Sequence, residues 1–366
     1  MIPVRPGPDH YLHENGVLDR LESLWEERGW RRGALIHGEP SWEAAHPYLP
    51  PTILDRCKEV PYRGKCTDQE VKRLVQQISA AQTDIIIGVG GGKGMDITKA
   101  VANQIGLPHL LIPTFPATCA AYTPLSVYYD ESGSFIRYDI HPHAPTAVWV
   151  EPEILVRAPL TGLRAGIGDT LAKWYEAEVL ATSLDHPPVP VRMGLKAALL
   201  CREVLLADGE EALHTAKQQQ VTPAFQRVVD AILVLGGTVG GFAERYGRTA
   251  AAHSVHNGLT RLPTTDRWLH GDKVAYGILV QLALLQQEQE IKRLLPFYHN
   301  VGLPSSLTEL GLDPTDHDQL LTLAQATLAP EESIHLMDDN VTVEDLIDAF
   351  QRLEPLTNAI REETTQ

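Results

Sequence analysis

The sequence predicts an α/β dinucleotide-binding domain over residues 1–158 followed by an all-helical domain over residues 159–366. Three observations carry that expectation. Short apolar runs alternate with stretches of helical spacing in the first part. A glycine-rich turn joins one of those runs to a helix. Beyond Pro159, apolar residues recur about three and four apart, as one face of a helix requires. The second block is too long and too apolar to be a tail on a single α/β domain.

The elements follow in order. GALIHG, residues 33–38, reads as a strand ending in a turn. DIIIGVGG, 84–91, is a stronger strand, with Ile85, Ile86 and Ile87 running into glycines. DITKAVANQIG, 96–106, has helical spacing, and HLLIPT, 109–114, is another strand. Strand, helix and strand at this spacing predict a mostly parallel sheet flanked by helices. Residues 123–150 read differently: TPLSVYY, DESGSF and TAVWVEP form strands joined by a turn, which extend the sheet or cover the crevice at its edge. The helical block holds MGLKAALLCREVLL, FQRVVDAILVLGG, KVAYGILVQLALLQQEQEIKRLL and VEDLIDAFQRL, punctuated by DHPPVP and HNVGLP.

Composition narrows the function classes. Of 366 residues, 43% are hydrophobic and 21% charged, the profile of a folded globular chain. A net charge of -16 argues against a nucleic-acid surface but leaves room for a local anion pocket. The opening MIPVRPGPDHYLHENG lacks the apolar run of a secretory signal, and DIIIGVGGG and AILVLGGTVGG are too short and glycine-rich to span a membrane. The expectation is a cytoplasmic protein with no membrane partner. Cys57, Cys66, Cys119 and Cys201 fit neither a disulfide framework nor a cysteine zinc site, so reduced thiols are expected.

GVGGGKGMD, Gly88 to Asp96, follows a strand and opens a helix. Consecutive glycines permit unusual backbone angles and close ligand approach, and exposed N–H groups at a helix start can hold a pyrophosphate. Gly90, Gly91, Gly92 and the Lys93 backbone are the candidates, with Asp96 orienting a cofactor group or capping the helix. A plain tight turn is the alternative. The segment is not a Walker A sequence, because no Ser or Thr follows the lysine, and its contiguous glycines do not make GxGxxG. Glu39 follows the GALIHG strand, where a carboxylate can bind the adenosine ribose and repel the extra phosphate of NADP. Taken alone it is an ordinary surface residue; with the glycine turn it favours NAD(H) over NADP(H).

Asp169 in GIGDTLAKWYEAE stands after a glycine turn near a helix start, His253 and His256 lie in TAAAHSVHNGL, and His270 precedes Gly271 in RWLHGDKVAYG. Asp169, His253 and His270 could converge on one divalent metal and leave a position open for a substrate oxygen. Solvated or hydrogen-bonded helix histidines are the alternative. His256, one turn beyond His253, could face the substrate or relay a proton, or simply pack. HExxH is absent, which disfavours that type of metalloprotease.

Together GVGGGKGMDITKA, PTFPATCAAYTPLSVYY, GIGDTLAKWYEA, AAHSVHNGLT and HGDKVAYGILVQL resemble the iron-containing, or type III, alcohol dehydrogenases, on the glycerol-dehydrogenase-like side. The likeness runs through nearly the whole chain. CAAYTPLSVYY and AGIGDTLAKWYEA are most similar to the hydroxycarboxylate dehydrogenase A branch. The resemblance implies a dehydroquinate-synthase-like architecture, with metal and reaction centre in a cleft between the two domains, and a homo-oligomer. It implies that Asp169, His253 and His270 hold the metal, with zinc first and iron or manganese as alternatives. It places Gly92, Lys93 and Asp96 on the pyrophosphate side and Thr114, Ala117, Thr123, Leu125 and Tyr129 at cofactor contacts. Glu39 matches a position where many members carry an aspartate that favours NAD.

Three departures bear on substrate, cofactor and metal. Glycerol dehydrogenases have a glycerol-contacting aspartate where this chain has Cys119, and a thiol does not supply that ionic acceptor. That points away from glycerol toward a small 2-oxo or 2-hydroxy acid, with polyols as the alternative. The hydroxycarboxylate branch uses NADPH with a basic residue in place of Glu39. Relatives with three histidines and one aspartate carry a histidine where Lys173 stands, which fits the Asp/His/His arrangement instead. Lys173 and Arg248 are candidate partners for a substrate carboxylate or, equally, for a structural Asp or Glu. The expected activity is hydride transfer between NAD(P)(H) and such a small substrate, with Asp169, His253, His256, His270, Cys119 and Lys173 around the reaction centre. Two rivals remain: the cyclisation and elimination chemistry of a dehydroquinate-synthase-like enzyme, and a non-catalytic nucleotide-binding protein.

Overall fold

The structure, a computed structural model, describes residues 2–131, 133 and 135–364. Among the described residues there are eight strands: β1 (His10–His13), β2 (Gly33–His37), β3 (Cys57–Pro61), β4 (Ile85–Gly90), β5 (His109–Pro113), β6 (Leu125–Tyr129), β7 (Phe135–Ile140) and β8 (Ala147–Val150). Six form one parallel sheet in the order β1-β8-β5-β4-β2-β3. Every residue of β2, β4 and β5 is buried, because helices cover both faces of a parallel sheet. Side-chain alternation splits the core in two. Leu35, Ile85, Ile87, Val89, Leu110 and Ile112 pack on one face with Leu18, Trp25 and Ala45. Ala34, Ile36 and Ile86 pack on the other with Leu74, Ile97 and Val101.

This sheet has a topological switch point. From β2 the chain moves outward to β3, then returns to lay β4 on the opposite flank of β2 and continues to β5. The helix after β2 (Glu39–Ala45) packs on the face with Trp25, and the helix after β4 (Gly92–Ile105) packs on the other. The chain therefore parts to opposite faces at the carboxyl ends of β2 and β4, the position where open α/β sheets bind their ligands.

Sequence patterning identified β2, β4 and β5. It missed β1 and β3, which are edge strands with mostly unburied residues and so lack an apolar run. Over 123–150, where strands joined by a turn are expected, β6 and β7 form a separate antiparallel hairpin, whereas β8 enters the main sheet between β1 and β5. Ser132 and Ser134 of the expected turn lie outside the described residues.

By compactness the chain divides into Arg5–Pro159 with Thr215–Gly241, and a second unit containing Leu160–His214 and Phe242–Gln366. The segment Thr215–Gly241 thus clusters with the α/β unit, not with the helices that flank it in sequence. Tyr11 donates to Asp230 at 2.7 Å, and Gly237 leaves room for the Tyr122 ring. Pro223–Tyr246 is long and apolar enough to cross a membrane by length and composition, but 61% of its apolar window is buried within the protein, as in a core helix.

No strand follows Pro159 among the described residues. The principal helices of the second unit include Leu160–Thr182, Ala251–Leu259, His270–Leu284, Glu288–Val301 and Val343–Thr364. His270–Leu284 is buried almost throughout, so it is apolar on every side and central to its unit. The long run from Lys273 to Leu295 is two helices, broken where Gln286 takes a positive φ of 57°.

Candidate functional site

At the carboxyl end of β4, Gly91 is the extended N-cap of the Gly92–Ile105 helix and supplies no side-chain cap. The first-turn N–H groups thus keep their capacity to bind an anion. Unusual backbone angles are not part of the design: none of Gly88, Gly90, Gly91, Gly92 or Gly94 has positive φ. The missing Cβ is what matters. At Gly91 it would lie 3.1 Å from Phe115 Cβ, and at Gly88 2.4 Å from Thr98 Oγ1. Thr114 is buried, and its N–H donates to the Gly90 carbonyl at 2.9 Å, tying the end of β5 to the turn. Ala117 donates to Phe115 in the same loop.

Glu39 is exposed at the start of the helix beyond β2, and His37 pairs with Val89 across the neighbouring strand. Ser41 donates to the carbonyls of Gly38 and Val89, holding the two strand ends together. Lys93 is exposed, its Nζ 5.4 Å from the Tyr129 ring centroid.

Asp96 corrects one expectation: it neither caps the helix nor reaches the surface. It is buried, 3.0 Å from the Lys99 ammonium. Burial pushes its carboxyl up, against the pull of Lys99. Lys99 is itself fully buried and donates to the carbonyls of Ala120, Thr123 and Leu125. Thr123 and Leu125 therefore give their backbone oxygens to this lysine. The loop it holds carries Cys119, half-buried at the start of a short turn and adjacent to Gly236.

The second cluster is built by helices. Asp169 does not follow a turn, as the GIGD sequence suggested; it lies within Leu160–Thr182. The glycines serve a helix crossing. A Cβ on Gly168 would lie 2.4 Å from the Gly271 carbonyl oxygen, and one on Gly271 would lie 1.8 Å from that of Ala165. Only paired glycines let the Asp169 helix approach the start of His270–Leu284 this closely. Asp272 fixes that start: it accepts from Leu269 N–H at 3.0 Å and from Arg164 through two bonds of 2.8 Å.

Glu176 stands two turns beyond Asp169 on the same helix. It accepts the N–H groups of Ala250 and His253 at 2.6 and 3.0 Å, and so caps the Ala251–Leu259 helix from outside. Its other oxygen is 2.7 Å from His253 Nδ1. An ionised carboxylate accepts only, so Nδ1 carries the proton toward Glu176. His253 Nε2 then points at Asp169 Oδ1, 3.4 Å away, with His270 Nε2 3.5 Å from the same oxygen.

The donor atoms of Asp169, His253 and His270 all lie within 4.8 Å of one another. One carboxylate and two imidazoles are the donor chemistry of a divalent metal site. Burial disfavours the Asp169 anion, but the Lys173 charge and hydrogen bonding to the histidines outweigh it and hold the carboxyl well below its ordinary range. Desolvation also opposes charge on His253, yet Glu176 and Asp169 lift it to about 9. A metal at Nε2 would displace that proton.

Residues 8–152 match the family model described as iron-containing alcohol dehydrogenase. The chain is 44% identical over 354 residues to hydroxycarboxylate dehydrogenase A of Escherichia coli (strain K12), covering 96% of this chain and 98% of that one. It belongs to the iron-containing alcohol dehydrogenase family. It is also 38% identical over 357 residues to a glycerol dehydrogenase of Thermotoga maritima, covering 96% of each. The solved glycerol dehydrogenase of Schizosaccharomyces pombe shares the fold at a TM-score of 0.88 and 30% identity, covering 100% of this chain and 93% of that one. As a member of this family, the protein is an NAD(P)-linked oxidoreductase, and its parallel sheet followed by helices is the family architecture.

The remaining sequence candidates take these places. Lys173 is buried with Nζ 3.5 Å from Asp169 Oδ1. Arg248 pairs with Glu244 at 3.0 Å, the structural alternative for that residue. His256 does not face Asp169; its Nε2 lies 3.0 Å from His270 Nδ1. Burial, then the nearby histidines, keep His256 neutral. Sequence reasoning missed Glu176, Lys99, Asp272 and Ser41. For Glu176 a signal existed, because Asp169, Lys173 and Glu176 recur at four and seven residues along one helix face.

Proposed function

We propose that the protein transfers hydride between NAD(H) and a small 2-oxo or 2-hydroxy acid, using one divalent metal held by Asp169, His253 and His270. The convergence of those three donors within 4.8 Å is the observation that carries this reading. When bound, the ion supplies a Lewis acid for the substrate oxygen and the nicotinamide exchanges the hydride. Zinc suits the donor set, with iron or manganese as alternatives. Glu176 orients His253, and Lys173 keeps the Asp169 carboxylate anionic and presents positive charge to an acid substrate. The N–H groups around Gly91, Gly92 and Lys93 hold the pyrophosphate, and Glu39 accepts from the ribose hydroxyls while repelling a phosphate there.

Cys119 favours acids over glycerol, since it offers no anionic acceptor to a polyol. Glycerol or another small polyol is the second reading, favoured by the likeness to the glycerol dehydrogenases. The same family reading carries the dehydroquinate-synthase-like architecture and a homo-oligomer, and the free cysteines favour a cytoplasmic location.

Metal-restored protein assayed with NADH and NADPH against 2-oxobutanoate, other 2-oxo acids, aldehydes and dihydroxyacetone tests the proposal. We expect 2-oxo acids with NADH to be turned over best. Good turnover of dihydroxyacetone with inactive 2-oxo acids overturns the substrate, and strong NADPH preference overturns the role of Glu39.

A further inference from the structure

We propose that Glu332 and Asn257, acting through His256, set the tautomer of His270 and so decide which of its ring nitrogens faces the metal donors. The inference rests on the reading of Asp169, His253 and His270 as a metal centre.

Four side chains form an unbroken line. His270 Nδ1 is 3.0 Å from His256 Nε2, and His256 Nδ1 is 2.9 Å from Asn257 Oδ1. Asn257 Nδ2 lies 3.0 Å from each oxygen of Glu332. The Glu332 end fixes the direction of every bond. A carboxylate has no proton to give, so Asn257 must turn its NH2 toward Glu332 and its carbonyl toward His256. That carbonyl can only accept, so His256 carries its proton on Nδ1 and keeps a lone pair on Nε2. The lone pair in turn calls for a proton on His270 Nδ1. His270 Nε2, 3.5 Å from Asp169 Oδ1, is left as the nitrogen that faces the metal donors, and the proton it shares with that carboxylate is displaced when a metal binds.

The two histidine donors thus have their Nδ1 protons fixed by different routes. His253 is held by one buried carboxylate in direct contact. His270 is held by a carboxylate two residues removed. His256 is a positioning residue in this scheme: its Nδ1 proton is committed to Asn257 and its Nε2 to His270. With the amide of Asn257 reversed, two acceptor oxygens would face each other across the Glu332 contact, which is the penalty that sets the polarity.

The test combines histidine side-chain NMR of isotope-labelled, metal-free protein with zinc affinity measured by chelator competition. Above the ordinary histidine titration range, long-range proton–nitrogen couplings show which ring nitrogen is protonated. Wild type should show His256 and His270 as Nδ1–H. Glu332→Gln removes the fixed polarity, because an amide can donate or accept. We expect mixed tautomers at both histidines and zinc affinity lower by about 10–100-fold. Asn257→Leu breaks the line and should do the same. The double variant Asn257→Asp/Glu332→Gln moves the obligate acceptor to position 257 and should restore both the Nδ1–H tautomers and zinc affinity. A purely structural contact predicts no such rescue. Unchanged tautomers in Glu332→Gln overturn the proposal, with or without a fall in zinc affinity, and so does failure of the double variant to recover. If wild type takes up no zinc while the tautomers respond as expected, the relay stands and the metal-centre reading fails.

Discussion

The glycine turn and the Asp169 centre present polar groups built from different materials. At the turn the groups are backbone N–H donors on neighbouring residues, and Phe115 and Thr98 occupy the space that side chains would need. At the centre the groups are side chains from separate helices, each held by another residue: Asp169 by Lys173, His253 by Glu176, His270 by His256. A backbone site depends on what is missing from the sequence. A side-chain site depends on partners that the sequence scatters.

The difference makes the two sites separable by mutation. The largest effect is expected for Asp169→Ala, which removes a proposed metal donor. Turnover should fall at least about a thousandfold, or roughly 4 kcal/mol of barrier, as loss of a Lewis acid implies. Metal analysis should show the ion gone while NADH fluorescence titration is unchanged; retained metal would refute the assignment. Next are two glycine variants. Gly168→Ala drives a methyl into the Gly271 carbonyl and should destabilise the protein by about 1–3 kcal/mol and lower metal occupancy, leaving nucleotide affinity alone. Gly91→Ala brings a methyl 3.1 Å from Phe115 Cβ and should weaken NADH binding roughly tenfold, about 1.4 kcal/mol, with metal content intact. Calorimetry on both variants reads each quantity, and a crossed pattern would break the separation.

Glu39→Arg should move the NADPH-to-NADH ratio of kcat/KM upward by about tenfold. An unmoved ratio would leave Glu39 an ordinary surface residue. The smallest effect concerns histidines that never approach the metal donors. Burial, then the Lys99 charge, lowers His109 to about 3 and His141 to about 4. Unfolded histidine titrates near 6.5. Between those values the unfolded chain binds more protons than the folded one. Stability from these groups is therefore complete above about pH 6.5 and is lost as pH falls toward 4. At about pH 5.5 each contributes roughly 1 kcal/mol of loss, and His141→Asn should flatten the acid limb of a denaturant-midpoint profile. His253 runs the opposite way, because Glu176 lifts it.

Legibility in the sequence follows the same division. β2, β4 and β5 could be read because both their faces are buried, which leaves continuous apolar runs. The glycine turn was visible because its parts are contiguous. The three proposed metal donors were identifiable as residue types, but their convergence depends on a helix crossing that spacing does not encode. GIGD read as a turn because glycine is usually local punctuation, whereas Gly168 answers to Gly271, far along the chain. Asp96 read as a ligand or cap because a carboxylate near a glycine turn usually faces outward; its partner Lys99 shows that it serves the interior. Glu332 carries no local mark at all, and only the folded chain brings it to Asn257.

The crossing of Gly168 and Gly271 also acts as a ruler. Asp169 and His270 each follow or precede one of those glycines directly, so the carboxylate-to-imidazole span is set by how closely two backbones touch. If Asp169 and His270 hold the proposed metal, both side chains reach it from a base written in main-chain atoms, and a single methyl group at the crossing would widen that base.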